Sequence, residues 1–437
     1  WEVYFYSGNY GRIVGLFCWF SAKISVPKKV LVSCRCLHCF QPTCDRPAKT
    51  FLVCKSTHET TTTKQNHKKE EIKQEEKQEI IDHEYTNEEN ADFGQIKSVQ
   101  KVEKVPYYGP VEHIFTHCLI AYPKLAFDNS NPMAYNYARD CITSTEFLNL
   151  LNELYKNNYA LININMLFTN KNGKIEKCKI YVPKGKKPLV MSFDDVVYDH
   201  RKMKNGMVDK IAINANGKVV SETFENWQNG SGKLVQSYTS EFISILDKFV
   251  EKYPDFSIDG AKGTICLTGF DGVLGYRTSS NNTENRESEI EKAKKVVQKL
   301  KSNGWTFACH SYGHYHMNKI TDEKFKEEIA LWQLEVEPII GKTKIYVYPY
   351  GEWQLNNKDN SFTNKHQMLI NAGFELYCGV GSKQFFGYLP LSQTVNKTLF
   401  MDRTPIDGYS LENNQKYLSR IFDADKVIDY KSRKILA

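Results

Sequence analysis

The sequence predicts an α/β fold in which a parallel sheet closes into a deformed (β/α) barrel. From Val105 onwards, short apolar runs alternate with amphipathic segments, which is typical of strands connected by helices. The run before Asp194 is apolar except for one serine, as expected of a strand that is buried on both faces. Several runs end in polar residues, and barrels of this type carry their chemistry at the carboxyl ends of their strands.

The residues before Val105 differ from this pattern. Residues 1–55 form a predicted leader, in which the apolar stretch 13–22 is typical of a signal-peptide core or a short anchor but is too short to cross a bilayer. Residues 56–104 are rich in Thr, Lys, Glu and Gln, which predicts a disordered, charged linker. The leader also holds a group of side chains without the paired spacing of a zinc knuckle: Cys34, Cys36, His38, Cys39 and Cys44.

Apolar periodicity places the elements of the remaining domain, residues 105–437. The predicted strands are 113–120, 159–164, 188–193, 262–268, 305–309, 344–348, 374–378 and 398–401. The predicted helices are 144–157, 237–253, 284–303, 321–337 and 362–372. Pro338 is expected to stop the fourth helix. An Asn216-Gly217 pair between apolar runs predicts a hairpin within 208–223.

Composition and charge indicate which classes of protein the chain can belong to. The chain has 437 residues, of which 41% are hydrophobic and 25% charged, and this is typical of a globular protein. The net charge of +7 is spread along the chain without an arginine-rich stripe, so nucleic acid is not an expected partner. Six of the twelve cysteines lie beyond residue 60, one at a time, which indicates buried thiols rather than a disulfide framework.

The polar strand ends suggest a metal site. The stretch PLVMSFDD ends in Asp194 and Asp195, and a later strand ends in His310, four residues before His314. Two histidines at this spacing can point at one ion, and one added carboxylate gives a three-ligand site with open positions for a catalytic water. Asp402 and Arg403 follow a third strand, 398–401.

The motifs SFDD and HSYGH, on successive α/β units, resemble those of the polysaccharide deacetylases of carbohydrate esterase family 4, the NodB-homology family, over about residues 105–429. The resemblance implies a barrel related to the TIM barrel and a metal-dependent N- or O-deacetylase. It assigns Asp194 as the general base and Asp195, His310 and His314 as metal ligands. The implied metal is Zn²⁺, with Co²⁺, Mn²⁺ or Ni²⁺ as alternatives.

The third motif of that family corresponds here to VYPYG, Val347 to Gly351. The resemblance implies that the backbone N–H of Tyr350 completes an oxyanion hole. Val347 stands where the family has an arginine that orients the base, so Arg403 or Arg277 would have to supply the guanidinium from another element.

The family's C-terminal histidine, its general acid, is also missing. His117 is the expected substitute, since it lies on the first strand of the domain, as in the circularly permuted poly-N-acetylglucosamine deacetylase branch. His316 is expected near the site or at the surface, and His200 is expected to be exposed.

The expected partner is an acetylated polysaccharide, such as peptidoglycan, poly-N-acetylglucosamine, a chitin-like polymer or xylan. Sugar rings pack on aromatic rings, and Trp353, Tyr276 and Tyr312 are the candidate platforms, while Trp305 and Trp332 are expected in the core. The leader and linker favour a bacterial, Firmicutes-like enzyme at the cell surface or outside the cell, with a possible membrane tether.

The sequence is also compatible with two other functions. A non-catalytic carbohydrate-binding member of the same fold would explain Val347 and the missing histidine, although metal binding alone does not require Asp194. A metal-dependent hydrolase of another bond, such as a peptide or phosphate bond, would use the same three ligands.

Overall fold

The structure, a computed structural model, describes residues 103–225, 233–356, 358, 361–381, 384–389 and 398–433. The predicted leader, its cysteine group and residues 56–102 of the predicted linker lie outside the described residues. Among the described helices, none combines the length and the apolar character needed to span a bilayer. The six cysteines of the described part are free thiols, as expected, and five of them are buried, whereas Cys178 is half-buried.

The described residues contain sixteen strands, as follows: β1 (Lys104–Tyr107), β2 (Glu112–His117), β3 (Tyr159–Leu161), β4 (Phe168–Lys171), β5 (Lys174–Lys177), β6 (Ile180–Pro183), β7 (Lys187–Asp194), β8 (Lys210–Ile213), β9 (Val219–Glu225), β10 (Lys233–Ser237), β11 (Thr264–Leu267), β12 (Thr306–Cys309), β13 (Ile345–Val347), β14 (Leu376–Val380), β15 (Phe386–Gly387) and β16 (Leu399–Pro405).

The α-helices of the same residues are α1 (Pro123–Ala126), α2 (Ala134–Asp140), α3 (Ser144–Lys156), α4 (Phe242–Lys252), α5 (Arg286–Ser302), α6 (Asp322–Leu331), α7 (Glu337–Ile340), α8 (Asn364–Asn371), α9 (Gly408–Asn413), α10 (Gln415–Leu418) and α11 (Tyr430–Arg433). A π-helical turn, Trp332–Val336, joins α6 to α7.

Seven parallel strands form a closed barrel in the order β11-β12-β13-β14-β16-β2-β7, and β7 pairs again with β11. The first half of β7 pairs with β3 and its second half with β11, so β3 fills the lower part of this seam. The predicted closed (β/α) barrel is therefore confirmed. The predicted Asn216-Gly217 hairpin is also present, between β8 and β9.

Alternating side chains of the barrel strands enter two different cores. On β7, Val190 belongs to a cluster with Ala308 and Leu376 inside the barrel, whereas Leu189 and Met191 pack with the helices outside it. This alternation is the period of two expected of strands. It also directs Ser192 and Asp194, in phase with Val190, towards the barrel interior.

Three sequence predictions need correction. The helix expected to stop at Pro338 continues to Ile340, because the π-helical turn before it places Pro338 in the first turn of α7, where a missing N–H does no harm. The helix predicted from residue 237 begins at Phe242, since residues 233–237 form β10 against β9. Asp402 and Arg403 lie within β16 rather than after it, since β16 pairs with β14 as far as Arg403.

Candidate metal and catalytic site

The carboxyl ends of the barrel strands bring the two sequence motifs together. Asp194 is the last residue of β7 and Asp195 follows it, while His310 directly follows β12. Because neighbouring parallel strands end on the same side of a barrel, these side chains meet at one rim.

Asp195, His310 and His314 form a cluster whose donor atoms all lie within 4.8 Å of one another. Nε2 of His314 lies 3.5 Å from Oδ1 of Asp195, and Nε2 of His310 lies 3.9 Å from the same oxygen. Tetrahedral ligands at zinc–nitrogen and zinc–oxygen bond lengths of about 2.0–2.1 Å would be about 3.3 Å apart. The cluster therefore has the donor types and nearly the spacing of a divalent-cation site.

The orientation of His310 is fixed by the third motif. Its Nδ1 lies 3.0 Å from the carbonyl oxygen of Val347, which can only accept, so Nδ1 is the donor and Nε2 is the ring nitrogen that faces the cluster. A backbone acceptor on the far nitrogen is the usual support of a metal-binding histidine. Val347 thus contributes to the site through its main chain, although its side chain cannot replace an arginine.

The protonation states of the cluster also suit a cation. Burial lowers the pKa of His314 to about 4, against the opposing effect of Asp195, so the imidazole is neutral at neutral pH. Burial alone would raise the pKa of Asp195, but His314, Lys202 and His310 hold it well below its usual range. A neutral imidazole and an ionised carboxylate are the forms that bind metal.

Asp194 forms a buried ion pair with Arg403. The guanidinium donates from NH1 to Oδ1 at 2.7 Å and from NH2 to Oδ2 at 2.8 Å, and the arginine is only 1% exposed. Burial would raise the pKa of Asp194, but Arg403 first, and then His310, lower it to about 2. Oδ2 also lies 3.8 Å from Nε2 of His310, so the ionised carboxylate borders the metal cluster.

Arg403 is itself held on three further sides. Nε donates to the carbonyl oxygen of Gly379 at 3.2 Å and NH1 donates to Oγ of Ser192 at 3.2 Å. The guanidinium carbon lies 4.0 Å from the centroid of the Phe115 ring, in a cation–π arrangement. These contacts restrict the guanidinium group of Arg403, which therefore holds the Asp194 carboxylate in one orientation.

Arg277, the other arginine considered from the sequence, does not contact Asp194. It donates to Oδ2 of Asp271 at 3.1 Å and to the carbonyl oxygen of Tyr198 at 2.8 Å. The prediction that it could orient the base is therefore wrong, because a nearer carboxylate, Asp271, holds it. His200 is exposed, as expected, and its Nδ1 lies 2.7 Å from the same Asp271.

His117 ends β2 directly beside Asp194 in the strand register. Its Nδ1 lies 2.8 Å from the carbonyl oxygen of Asp140, so Nδ1 is the donor and Nε2 is left for another partner. The effect of His117 on the pKa of Asp194 and Asp195 is smaller than those of Arg403 and His314, which act on the first and the second carboxyl group respectively.

Tyr350 follows β13 and lies at the same rim. Its backbone has a φ of +57°, a left-handed conformation that L side chains adopt rarely. Its ring stacks on His316 with 3.8 Å between centroids and lies 4.7 Å from the ring of His314. His316 donates from Nδ1 to Glu352 at 2.7 Å, so it supports Tyr350 at the edge of the cluster.

The three candidate sugar platforms differ in accessibility. Tyr276 is 5% exposed and Tyr312 is 7% exposed, so neither offers a ring face to a polymer, and their assignment as platforms is wrong. Tyr312 is buried because its hydroxyl donates to Glu335 at 2.6 Å. Trp353 is half-buried and stacks on Phe400 at 5.0 Å between centroids. Trp305 and Trp332 are buried, as expected.

Several residues near the ends of the barrel strands were not singled out in the sequence. Exposed aromatic rings occur in the segments that follow β2, β12 and β16, namely at Tyr135, Tyr315 and Tyr409. Tyr315 could have been noticed, since it directly follows His314. The sequence gives no reason to single out Ser192 or Lys202, because a serine in a strand and a lysine in a polar loop are both common.

Residues 212–366 match the family described as polysaccharide deacetylase. This segment contains His310, His314 and Tyr350 but neither Asp194 nor Arg403. A comparison with curated proteins finds no match.

Solved structures with some similarity include the Streptococcus pyogenes deacetylase PplD in complex with acetate, with 12% identity, a TM-score of 0.37, and coverage of 73% of this chain and 99% of that one. BC0361, a polysaccharide deacetylase from Bacillus cereus, has 15% identity, a TM-score of 0.35, and coverage of 69% and 65%. BA3943, a family 4 pseudoenzyme from Bacillus anthracis, has 8% identity, a TM-score of 0.21, and coverage of 40% and 53%.

Proposed function

We propose that this chain removes acetyl groups from an N- or O-acetylated polysaccharide with the help of a divalent cation. The match of residues 212–366 to the polysaccharide deacetylases, which are hydrolases of amide or ester bonds, supports the proposal. One observation carries the proposal: Asp194 is ionised, held by Arg403 and placed beside the Asp195, His310 and His314 cluster. Cation binding alone would not require this second, separately supported carboxylate.

Asp195, His310 and His314 would hold the cation through Oδ1 and the two Nε2 atoms. Zinc fits a set of two imidazoles and one carboxylate, and Co²⁺, Mn²⁺ and Ni²⁺ are the alternatives. A bound divalent cation would lower the pKa of a coordinated water and polarise the acetyl carbonyl group.

Asp194 acts as the general base in this proposal. Its pKa of about 2 keeps it ionised at neutral pH, and Oδ2, on the side of His310, is the atom that would accept the proton of the attacking water. Both oxygens accept from Arg403, which fixes the carboxylate and limits the side from which a water can approach.

Two further groups complete the reaction. The backbone N–H of Tyr350 would donate to the oxygen that becomes negative when the acetyl carbon is attacked. Nε2 of His117 would protonate the leaving nitrogen or oxygen, since Nδ1 is committed to the carbonyl oxygen of Asp140. His117 and Tyr350 thereby assist the departing group and the developing charge.

For the substrate, we propose a cell-wall or matrix polymer, with peptidoglycan, poly-N-acetylglucosamine, chitin-like polymers and xylan as candidates. Trp353, which is half-buried, is the one predicted platform that keeps accessible surface, and the ring of Tyr350, 44% exposed, offers a second surface for sugar stacking near the site. We further propose residues 105–437 as the catalytic domain, displayed at the cell surface or outside the cell, with the preceding residues as leader or tether and linker.

The test is acetate release by the full chain from acetylated chito-oligosaccharides, peptidoglycan and acetylated xylan. Asp194→Asn should lower the rate at least about 100-fold, because the amide cannot accept the proton. The control is Asp402→Asn, a neighbouring half-buried carboxylate whose pKa burial raises to about 6, and it should stay near wild-type activity. Equal activity of the two variants would refute the role of Asp194. No release from any substrate by the metal-loaded wild type would favour a binding function.

A further inference from the structure

The loop that follows β7 contains a lysine that contacts the metal cluster through the main chain. Nζ of Lys202 donates to the backbone carbonyl oxygen of Asp195 at 3.1 Å. The side chain is 18% exposed, so most of its length is buried, which is unusual for a lysine in a polar loop.

The backbone of Asp195 has an unfavourable conformation, which requires support from neighbouring groups. Its φ is +57°, so a non-glycine residue occupies the left-handed region, and Tyr198, three residues later, has a φ of +49°. In this turn, Oδ1 of Asp195 lies 3.5 Å from Nε2 of His314. A conformation of this kind persists only where neighbouring groups hold it.

Three donors hold the Asp195 carbonyl oxygen. The backbone N–H of Val197 lies at 2.8 Å, Nζ of Lys202 at 3.1 Å and Sγ of Cys118 at 3.5 Å. Only the lysine is charged, and hydrogen bonds from charged donors are roughly twice as strong as neutral ones. It is therefore the strongest of the three contacts that fix the peptide.

The ammonium group is placed so that it does not compete with a cation. It bonds to the main-chain oxygen, whereas Oδ1 of Asp195 faces the two histidines. The ammonium group forms a long ion pair with Asp199 at 4.0 Å, and that carboxylate already accepts from Nε of Arg201 at 2.7 Å. Lys202 thus supports the ligand from behind.

We infer that Lys202 is a positioning residue, which clamps the left-handed turn at Asp195 and so sets the direction of the carboxylate that binds the cation. The inference rests on the proposed function only in that Asp195 is taken as a metal ligand. The lysine touches neither substrate nor reacting atoms in this assignment.

The test compares Lys202→Met with Arg201→Met in the full, metal-stripped chain. Both variants remove a cationic neighbour of Asp199, but only the first removes the bond to the Asp195 carbonyl group. Zinc affinity is measured by competition with a fluorescent chelator, and the Co²⁺ absorption spectrum reports the ligand geometry. Loss of a supporting partner of a metal ligand typically costs 10–100-fold in affinity.

We expect Lys202→Met to bind zinc at least about tenfold more weakly than the wild type and to change the Co²⁺ spectrum, with Arg201→Met within about twofold. If Lys202→Met does not fold, Lys202→Gln, which keeps a donor without the charge, is measured instead and should also bind more weakly. Wild-type affinity in the folded lysine variant would overturn this inference alone. Failure of the wild type to bind zinc, Co²⁺, Mn²⁺ or Ni²⁺ would overturn the proposed function itself.

Discussion

Removal of the Arg403 guanidinium should destabilise the fold and disturb the base at the same time. In Arg403→Met, Asp194 stays buried without its two hydrogen bonds of 2.7 and 2.8 Å. The pKa of Asp194 is now lowered from 3.8 to about 2, which at 1.36 kcal/mol per pH unit corresponds to about 2 kcal/mol. Breaking a buried ion pair by removing one partner costs about 3–5 kcal/mol. We therefore expect a loss of roughly 2–5 kcal/mol in the free energy of unfolding.

The double variant Arg403→Met/Asp194→Asn is the matched control. It removes both charges, so no uncompensated carboxylate stays buried, and it should be more stable than Arg403→Met alone. Urea unfolding of the wild type, both single variants and the double variant measures this coupling. A double variant that is less stable than Arg403→Met would refute the claim that the pair is stabilised by its charges.

The same variant has a kinetic signature. Without Arg403, burial raises the pKa of Asp194, so the acidic limb of the kcat/KM profile should move to higher pH by roughly one unit or more. The stability of the wild type depends on pH in the same direction. Because the pKa of Asp194 is depressed, its ionised form contributes stability above the unfolded pKa of 3.8, and this contribution is lost as the pH falls through about 2. An unchanged acidic limb in folded Arg403→Met would exclude Asp194 as the titrating base.

Three further predictions follow from the described contacts. His117→Ala should lose at least about tenfold more activity on N-acetylated chito-oligosaccharide than on nitrophenyl acetate, whose leaving group needs no proton; equal losses would argue against His117 as the acid. Tyr312→Phe breaks the bond to Glu335, so it should cost about 1–2 kcal/mol in unfolding without changing KM; a raised KM would restore Tyr312 as a substrate contact. Burial raises the pKa of Glu241 to about 8, so the protonated carboxyl group stabilises the fold fully below about pH 4.5, and this stabilisation is lost as the pH rises through 8. The Tm of Glu241→Gln should therefore fall less than the Tm of the wild type between about pH 5 and 9. Parallel curves of Tm against pH for the two proteins would contradict this.

The parts of the fold that depend on local pattern were predictable from the sequence. The barrel strands are short apolar runs, and the ends of β7 and β12 could be placed because Asp194 and His310 interrupt such runs. Since parallel strands end on one side, the convergence of the two motifs followed without long-range information.

The partner of Asp194 could not be chosen from the sequence, because it depends on strand register. Arg403 lies 209 residues away, and the predicted strand stopped at residue 401. Only pairing with β14 and β2 extends β16 to Pro405 and directs Arg403 into the barrel. Arg277 lies on a loop at the same rim, and a nearby Asp271 decides its direction.

The burial of loop residues could not be predicted from the sequence either. Tyr312 follows a metal-site histidine and would be exposed on an open loop, but Glu335, 23 residues later, provides a buried acceptor for its hydroxyl. Lys202 could not be distinguished in the sequence from the other basic residues of its loop. Its acceptor is the carbonyl oxygen of Asp195, whose direction depends on the left-handed backbone conformation of that residue. Such contacts arise from the folded loops and not from the spacing of residue types.

The most direct test of the account is a zinc titration of the metal-stripped full chain, in which bound zinc and acetate release from acetylated chito-oligosaccharide are followed together. We predict that acetate release is absent without metal, rises in proportion to bound zinc and levels off near one equivalent per chain. His310→Ala and His314→Ala should lose both binding and release, because each removes one of three donors. Full acetate release from the stripped chain, or wild-type zinc binding by either histidine variant, would contradict the assignment of the site.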